Sequence, residues 1–347
     1  MKYYFAPMEG ITGYVFRNAH HQYFHQIDEY YTPFITPTQT RKLTAREMND
    51  VLPEHNEGMR VIPQILTNQA EDFLWAAEKL KQLGYGEVNL NLGCPSGTVV
   101  SKNRGSGFLA YPVRLDRFLY EVSEGLDRLD LKLSVKTRIG KLDGDEFEEL
   151  LEIYNQYPME KLIIHPRVQL DYYKNHPNRE VFRAAVQNSK NRVCYNGDLF
   201  SDEDIRMFER EYPEVNAVMM GRGLLTNPAL GIEAAAARQQ AAASLQMAFS
   251  PQETGEDRPA LDPRTLHAFH NAVLAGYREV IPGDRNVLFK MKELWAYLGD
   301  AFADSKKQVK KIRKAERMAD YEAAVANIFA TCELVRDPVF LGWKQGK

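Results

Sequence analysis

Cysteine is scarce in this chain. There are three in 347 residues, Cys94, Cys194 and Cys332, far apart and odd in number. Such a set excludes a disulfide framework, and the absence of any CxxC pair removes the usual half of a zinc site. Reduced cysteines suit a cytosolic setting. Long apolar runs are missing too: no stretch approaches the roughly 18 residues that would span a bilayer. The opening residues, MKYYFAPMEG, lack the basic start and apolar core of a secretory signal. A soluble, cytoplasmic protein without membrane association is expected. Nor is there an excess of positive charge, with 44 Lys and Arg against 47 Asp and Glu, a net of −3. The chain as a whole is no basic coat for nucleic acid, and any such contact must come from local patches.

What is present is an ordinary globular composition, 44% hydrophobic and 26% charged. Eight short apolar or β-branched runs read as strands, at residues 3–6, 29–31 running on toward 35, 60–66, 87–92, 131–137, 161–165, 192–196 and 217–221. Most are nearly continuous, as in a parallel sheet buried on both faces. Between them lie helical patterns. Residues 68–83 place Phe73, Leu74, Ala77 and Leu80 on one face, and Gly84 follows as a stop. Residues 112–126 and 145–157 read similarly, and Ser201 opens another helix with SDED. Strand–helix alternation repeated about eight times predicts an α/β fold, a (β/α)₈ TIM barrel. An open doubly wound sheet is the alternative, but no GxGxxG follows the first strand.

The predicted organisation is a barrel over residues 1–235, a linker or insertion over 236–262, and an all-helical domain over 263–347. The insertion begins with the Ala/Gln-rich run AAAARQQAAASLQ, read as a helix, and continues as SPQETGEDRPALDP, read as a surface linker. Three apolar-faced helical patterns follow.

A barrel carries its active site at the C-terminal ends of its strands. Those ends are Pro7-Met8, Gln64, Asn89 and Asn91 followed by Gly93-Cys94-Pro95, Lys136 and Arg138, His165 and Arg167, Asn196-Gly197-Asp198, and Gly221-Arg222-Gly223. A lysine within SVKT and asparagines within NLNL are costly to bury without partners, which favours a ligand site over strands that merely run out into loops. The glycine-rich turns NGD and GRG, after the last two strands, match the usual barrel phosphate site, with Arg222 able to add a charged contact. A phosphate-bearing cofactor is expected. Cys194, inside a strand, and Cys332, inside a helical face, read as small core residues.

Taken together, APMEGITGYVFR, PQIL, NLNLGCPSGTVVSKNRGSGFL, VKTRIG, HPR, NGD and GRGLLTNP resemble the tRNA-dihydrouridine synthase family over most of residues 3–228. The most specific segment is LNLGCP with Lys102, Gly105 and Gly107 behind it. The resemblance implies a flavin barrel with a helical C-terminal domain. FMN would contact Ala6, Pro7 and Met8, with Gln64 and Lys136 at the polar edge of its ring, His165 at the ring or its phosphate, and Asn196, Gly197, Asp198, Gly221 and Arg222 around the phosphate. NADPH or NADH would reduce the flavin. A tRNA uridine, flipped out of its stack, would receive hydride at carbon 6 and a proton from Cys94 at carbon 5. Asn91 would orient the base, and Arg138 and Arg167 would hold uracil or a nearby phosphate. One departure is Pro166, where many relatives have glycine between the His and the Arg; it fixes the backbone and removes an N–H, so an altered loop is expected.

For tRNA itself the strongest basic run is residues 306–317, KKQVKKIRKAER, seven Lys or Arg against one Glu. It supplies Lys306, Lys307, Lys310, Lys311, Arg313 and Lys314. Lys102 and Arg104, behind Cys94, form a second candidate. A monomer without a stable protein partner is expected. Two other readings stay open: an FMN-dependent oxidoreductase of a free pyrimidine, and an idle tRNA-binding protein on the same scaffold.

Overall fold

A computed structural model describes residues 1–246 and 261–338. It divides into two compact units. The first comprises Met1–Glu9, Asp28–Asp198 and Glu214–Met219; the second comprises Gly10–Ile27, Leu199–Pro213 and the described residues from Met220 onward. Among the described residues no helix is long and apolar enough to cross a membrane.

The first unit is the barrel. Its strands are β1 (Lys2–Phe5), β2 (Glu29–Tyr31), β3 (Val61–Ile62), β4 (Gln64–Ile65), β5 (Glu87–Leu92), β6 (Lys132–Arg138), β7 (Lys161–His165), β8 (Val193–Tyr195) and β9 (Ala217–Met220). They form one sheet in the order β3-β2-β1-β9-β8-β7-β6-β5-β4. The run predicted as a single strand over 60–66 is interrupted at Pro63, which has no N–H to donate. The two edges of the sheet are therefore consecutive pieces of one stretch of chain, and the order describes a closed eight-stranded barrel. Every paired register determined is parallel. The strands predicted at 29–31, 87–92 and 161–165 have the predicted limits, and Ile35 makes the expected continuation of β2 as a bridge to Ile65.

Helices of this unit carry one apolar face. Ala70–Gln82 buries Phe73, Ala76, Ala77 and Leu80, a 3–4 spacing, and Gly84 beyond it has φ +92°, a conformation glycine adopts without strain. Gly125, in the helix Pro112–Leu129, lies so near Leu74 that a Cβ there would come within 2.4 Å of it.

Strand alternation points every second side chain into the barrel. At one end Lys161 Nζ lies 2.8 Å from Glu29 and 2.9 Å from Glu87, and Arg60 Nε lies 3.0 Å from Glu29. Lys161, Glu29 and Glu87 are buried and Arg60 reaches them from the exposed rim, so two carboxylates face two cations and the cluster is neutral. Above it come apolar side chains, among them Tyr4, Tyr31, Ile62, Ile163, Cys194, Ala217 and Met219. Cys194 is a core residue, as expected.

The second unit is helical. Ser201 caps Asp202–Glu211 in a capping box with Asp204, as SDED suggests. Leu230–Gln246 confirms a helix in the Ala/Gln-rich run. The rest of the expected linker, residues 247–260, lies outside the described residues. Asp262 then caps Pro263–Val280, accepting from the Thr265 N–H at 2.7 Å. That helix buries Leu266, Phe269, His270, Val273, Leu274 and Tyr277. Tyr321 Oη joins His270 Nε2 at 2.6 Å and accepts from Trp295 Nε1 at 2.9 Å, and burial lowers the His270 pKa to about 4, so its imidazole is neutral. Cys332 departs from expectation. It sits one residue past the helix Met318–Thr331 and is only half-buried, because the helix ends before its apolar face reaches it.

Candidate active site

At the C-terminal ends of the barrel strands the interior turns polar, and register explains the pattern. Gln64 pairs with Asn89 and Asn89 with Ser134, one row across three strands; Asn91 stands beside Lys136 in the next row, and Arg138 beside His165 in the next. Side chains in one row are close enough to bond laterally. Gln64 Nε2 donates to Asn89 Oδ1 at 2.7 Å, Asn89 Nδ2 to Ser134 Oγ at 3.0 Å, and Asn91 Nδ2 to Gln64 Oε1 at 2.7 Å. The amides that were costly on sequence grounds thus satisfy one another.

The chain of bonds ends at Cys94. Asn91 Oδ1 accepts from the backbone N–H groups of Gly93 at 3.0 Å and Cys94 at 2.9 Å. On the other side the Cys94 carbonyl accepts from Ser106 N at 3.1 Å and Ser106 Oγ at 2.9 Å. Gly105 makes this approach possible. Its φ is +55°, and a Cβ there would fall 2.7 Å from the Cys94 oxygen. Ser106 was not singled out in the sequence; its only mark there is its place in RGSG. The thiol is half-buried, and burial pushes its pKa up, with Glu9 acting the same way; the Ser96 backbone, Lys136 and Arg138 oppose this. Cys94 therefore carries its proton at neutral pH.

Lys136 behaves differently from the amides. Among the described residues no hydrogen bond or ion pair to its amine is found. Burial, then repulsion by Arg138, lowers its pKa to about 8. Its Nζ lies 3.9 Å from where a Cβ on Gly93 would sit, so it points toward the Cys94 loop. A half-buried cation for which the described residues supply no carboxylate is a place for an anionic ligand group.

The two arginines are engaged with protein. Arg138 donates from Nε to the Gly93 carbonyl at 3.0 Å, from Nη1 to Val168 O at 2.8 Å and from Nη2 to Tyr172 O at 2.7 Å. Arg167 forms a two-pronged pair with Asp198 at 2.8 and 2.6 Å, donates to Asn175 O at 2.6 Å, and stands 3.0 Å from His165 Nε2. Asn196 is buried and donates to Met219 O at 2.7 Å. Gly197 cannot be otherwise, since a Cβ there would lie 1.9 Å from Tyr195 Oη. Ala6 is buried, while Pro7 and Met8 are half-buried.

The remaining candidates sit on other loops and helices. Lys102 is exposed and Arg104 half-buried on the loop behind Cys94, where the Lys102 carbonyl accepts from Asn68 at 3.1 Å. In the second unit GRG is not a free turn. Gly221 caps a short helix, Arg222–Thr226, and the Arg222 guanidinium lies 5.5 Å from the Phe200 ring centroid. Also in that unit, Lys306, Lys307, Lys310, Lys311, Arg313 and Lys314 are all exposed on the helix Lys306–Lys314, whose one buried residue is Ile312. Lys307, Lys310, Lys311 and Lys314, at 3–4 spacing, line a groove of ≈ 640 Å³ shared with Ala323 and Asn327.

At the C-terminal ends of its strands, where barrel enzymes carry their active sites, this closed parallel barrel gathers a thiol on a clamped loop and a lysine for which the described residues supply no partner. Residues 4–254 match the family model of dihydrouridine synthase (Dus), and the chain belongs to that family. It is similar to a probable tRNA-dihydrouridine synthase of Staphylococcus aureus, 28% identical over 232 residues, 64% of this chain and 68% of the relative. It is likewise similar to a tRNA-dihydrouridine(16) synthase of Pseudomonas putida, 28% identical over 239 residues, 67% of this chain and 73% of that one. Among solved structures it resembles morphinone reductase at 13% identity and a TM-score of 0.48, covering 75% of this chain and 92% of that one.

Proposed function

We propose that this protein reduces a uridine of tRNA to dihydrouridine, with FMN as cofactor and NADPH or NADH as the source of electrons. The observation that carries this reading is the pairing, at one barrel mouth, of a protonated Cys94 with a Lys136 amine for which the described residues supply no counter-ion. The donor set fits a flavin. Lys136 would neutralise negative charge on the ring system, and the Gln64 amide, fixed by Asn89 and Asn91, would present its remaining donor to the ring edge. Ala6, Pro7, Met8 and His165 would line the cofactor, and Asn196 and Gly197 would lie along its phosphate arm. Asp198 would act by holding Arg167, because a carboxylate set directly against a phosphate would repel it. FMN, when bound, supplies the hydride that adds to carbon 6 of the uracil.

Cys94 Sγ would hold the proton destined for carbon 5. A raised thiol pKa suits a proton donor and ill suits a nucleophile, which needs the thiolate. Asn91 would act by fixing the Cys94 backbone, and Arg138 by fixing Gly93. The exposed lysines of Lys306–Lys314, with Lys102 and Arg104, would meet tRNA phosphates.

The test is to purify the protein, record its visible spectrum, and add NADPH with unmodified tRNA. A flavin spectrum, formation of dihydrouridine, and its loss in Cys94→Ala are expected. A flavin that is reduced by NADPH while no tRNA is modified points instead to a free pyrimidine as substrate. Failure to bind FMN on reconstitution removes the cofactor and the reading built on it.

A further inference from the structure

The loop after β7 presents three large apolar side chains to solvent. Leu170, Tyr172 and Tyr173 are 54%, 45% and 48% exposed, within four residues of one another. Exposed apolar side chains gathered on one loop call for a partner. This loop is also fixed in place. Its ends are joined by the Asn178 N–H donating to Pro166 O at 2.6 Å, Asp171 accepts from Val168 N at 3.0 Å, and Arg167 reaches across to Asn175 O at 2.6 Å.

Tyr172 has φ +50° and ψ −92°, a strained backbone for a side chain of its size. The strain has a visible consequence. It turns the Tyr172 carbonyl inward to Arg138 Nη2, while the ring stays outside. Tyr173 is oriented by its neighbours. The Arg138 Cζ lies 5.4 Å from its ring centroid, and the His165 ring lies 5.9 Å away at an interplanar angle of 31°.

We propose that Tyr173, flanked by Tyr172 and Leu170, is a stacking platform for an unpaired nucleobase adjacent to the uridine being reduced. The inference rests on the tRNA reading above and extends it to a contact that sets which sequence context is accepted. Three observations support it. A tyrosine ring already held in one orientation offers a flat apolar face, and unpaired bases are recognised by stacking on such faces. The charge at the loop surface suits a polynucleotide: Lys174 beside the ring is exposed, while the loop's carboxylate, Asp171, is half-buried and accepts from Val168 N and Asn175 Nδ2, near the buried Arg138. Finally, the guanidinium that holds Tyr172 and Tyr173 also holds the Gly93 carbonyl, one residue before Cys94. A base stacked on Tyr173 is thereby tied to the loop that carries the reacting thiol.

The experiment compares Tyr173→Ala, Tyr173→Trp and the unaltered, FMN-loaded protein on unmodified tRNA. For Tyr173→Ala the KM for tRNA should rise about tenfold, with a much smaller change in kcat at saturating tRNA. Tyr173→Trp should restore the KM, and the emission of the introduced indole should be quenched as tRNA binds. A short single-stranded oligonucleotide carrying the target uridine should respond to Tyr173→Ala only while the neighbouring nucleotide retains its base; replacing that base with an abasic residue should abolish the difference. An unchanged KM in Tyr173→Ala overturns the platform. So does an equal fall of kcat and thermal stability, which would make the ring merely structural, or a quench produced by an unrelated protein surface and not by tRNA. If the unaltered protein binds tRNA without reducing it, the proposed activity fails while the indole quench still decides the platform; if it does not bind tRNA, both fail.

Discussion

Asn91 Oδ1 accepts the backbone N–H of Cys94 at 2.9 Å, so the thiol's position is set by an amide three residues before it. The same oxygen takes the Gly93 N–H, and the amide nitrogen is spent on Gln64. The oxygen of Asn91 thus holds the loop, and its nitrogen anchors the amide to β4.

Replacing Asn91 with alanine would leave two loop N–H groups and Gln64 Oε1 without partners. Unmade buried bonds cost about 1–3 kcal/mol each. Asn91→Ala should lower kcat for uridine reduction by roughly 100-fold and destabilise the fold by about 3 kcal/mol. Steady-state kinetics alongside a denaturant melt checks this. Full activity in a stable Asn91→Ala protein would show that the loop holds itself.

Lys136 gives a pH signature. Its folded pKa of about 8 lies below that of an unfolded lysine, about 10.4, so the folded state disfavours the charged form. Below pH 8 both states are protonated and the fold bears the whole cost; that cost is relieved as pH rises from about 8 to about 10.4. Stability of the cofactor-free protein relative to Lys136→Met should therefore improve across that window. An anionic ligand reverses the preference, so FMN affinity should weaken above pH 8, by at most roughly tenfold per pH unit for one proton. Fluorescence titration of FMN from pH 7 to 9.5 measures it, and a profile no steeper than that of Lys136→Met would count against the ligand role.

Gly197 has no room for a side chain. Gly197→Ala puts a methyl 1.9 Å from Tyr195 Oη, on a ring held between Phe182, at 4.8 Å between centroids, and Arg179, at 4.8 Å from the ring centroid. Overpacking of this kind costs about 1–3 kcal/mol. A drop in Tm together with at least tenfold weaker FMN binding is expected, and wild-type values of both would show that the turn yields freely.

The basic helix can be divided by its own geometry. Neutralising the groove-lining Lys307, Lys310, Lys311 and Lys314 to glutamine should reduce the salt dependence of tRNA binding by up to about four phosphate contacts, each near one unit of slope. Changing Lys306 and Arg313, which are absent from that groove, should have a smaller effect. Equal slopes for the two sets would mean that the groove face has no special part.

Much of this was legible in the sequence for local reasons. Buried parallel strands must be apolar nearly throughout, so EVNLNL and KLIIH mark β5 and β7 to the residue. Ser201 with Asp204, and Gly84 after its helix, act within one turn of chain and are readable there. The strand-end rule alone brings Cys94, Lys136, Gln64 and Asn91 to one end of the barrel.

What those residues do to one another depended on register, which no short segment contains. Gln64 meets Asn89 across 25 positions, and Asn89 meets Ser134 across 45. Only the closed sheet sets them in one row and turns costly amides into a satisfied chain, and it leaves Lys136 with no counter-ion among the described residues. Arg138 and Arg167, read from sequence as ligand-binding charges, are bound to backbone carbonyls and to Asp198 because the loops that fold back over them bring those acceptors within reach. Lys161 is the opposite case. Its charge is silenced by Glu29 and Glu87, 132 and 74 positions away. Two lysines on neighbouring strands of similar composition thus end with opposite fates, because barrel closure brings carboxylates to one and leaves the other among amides and arginine.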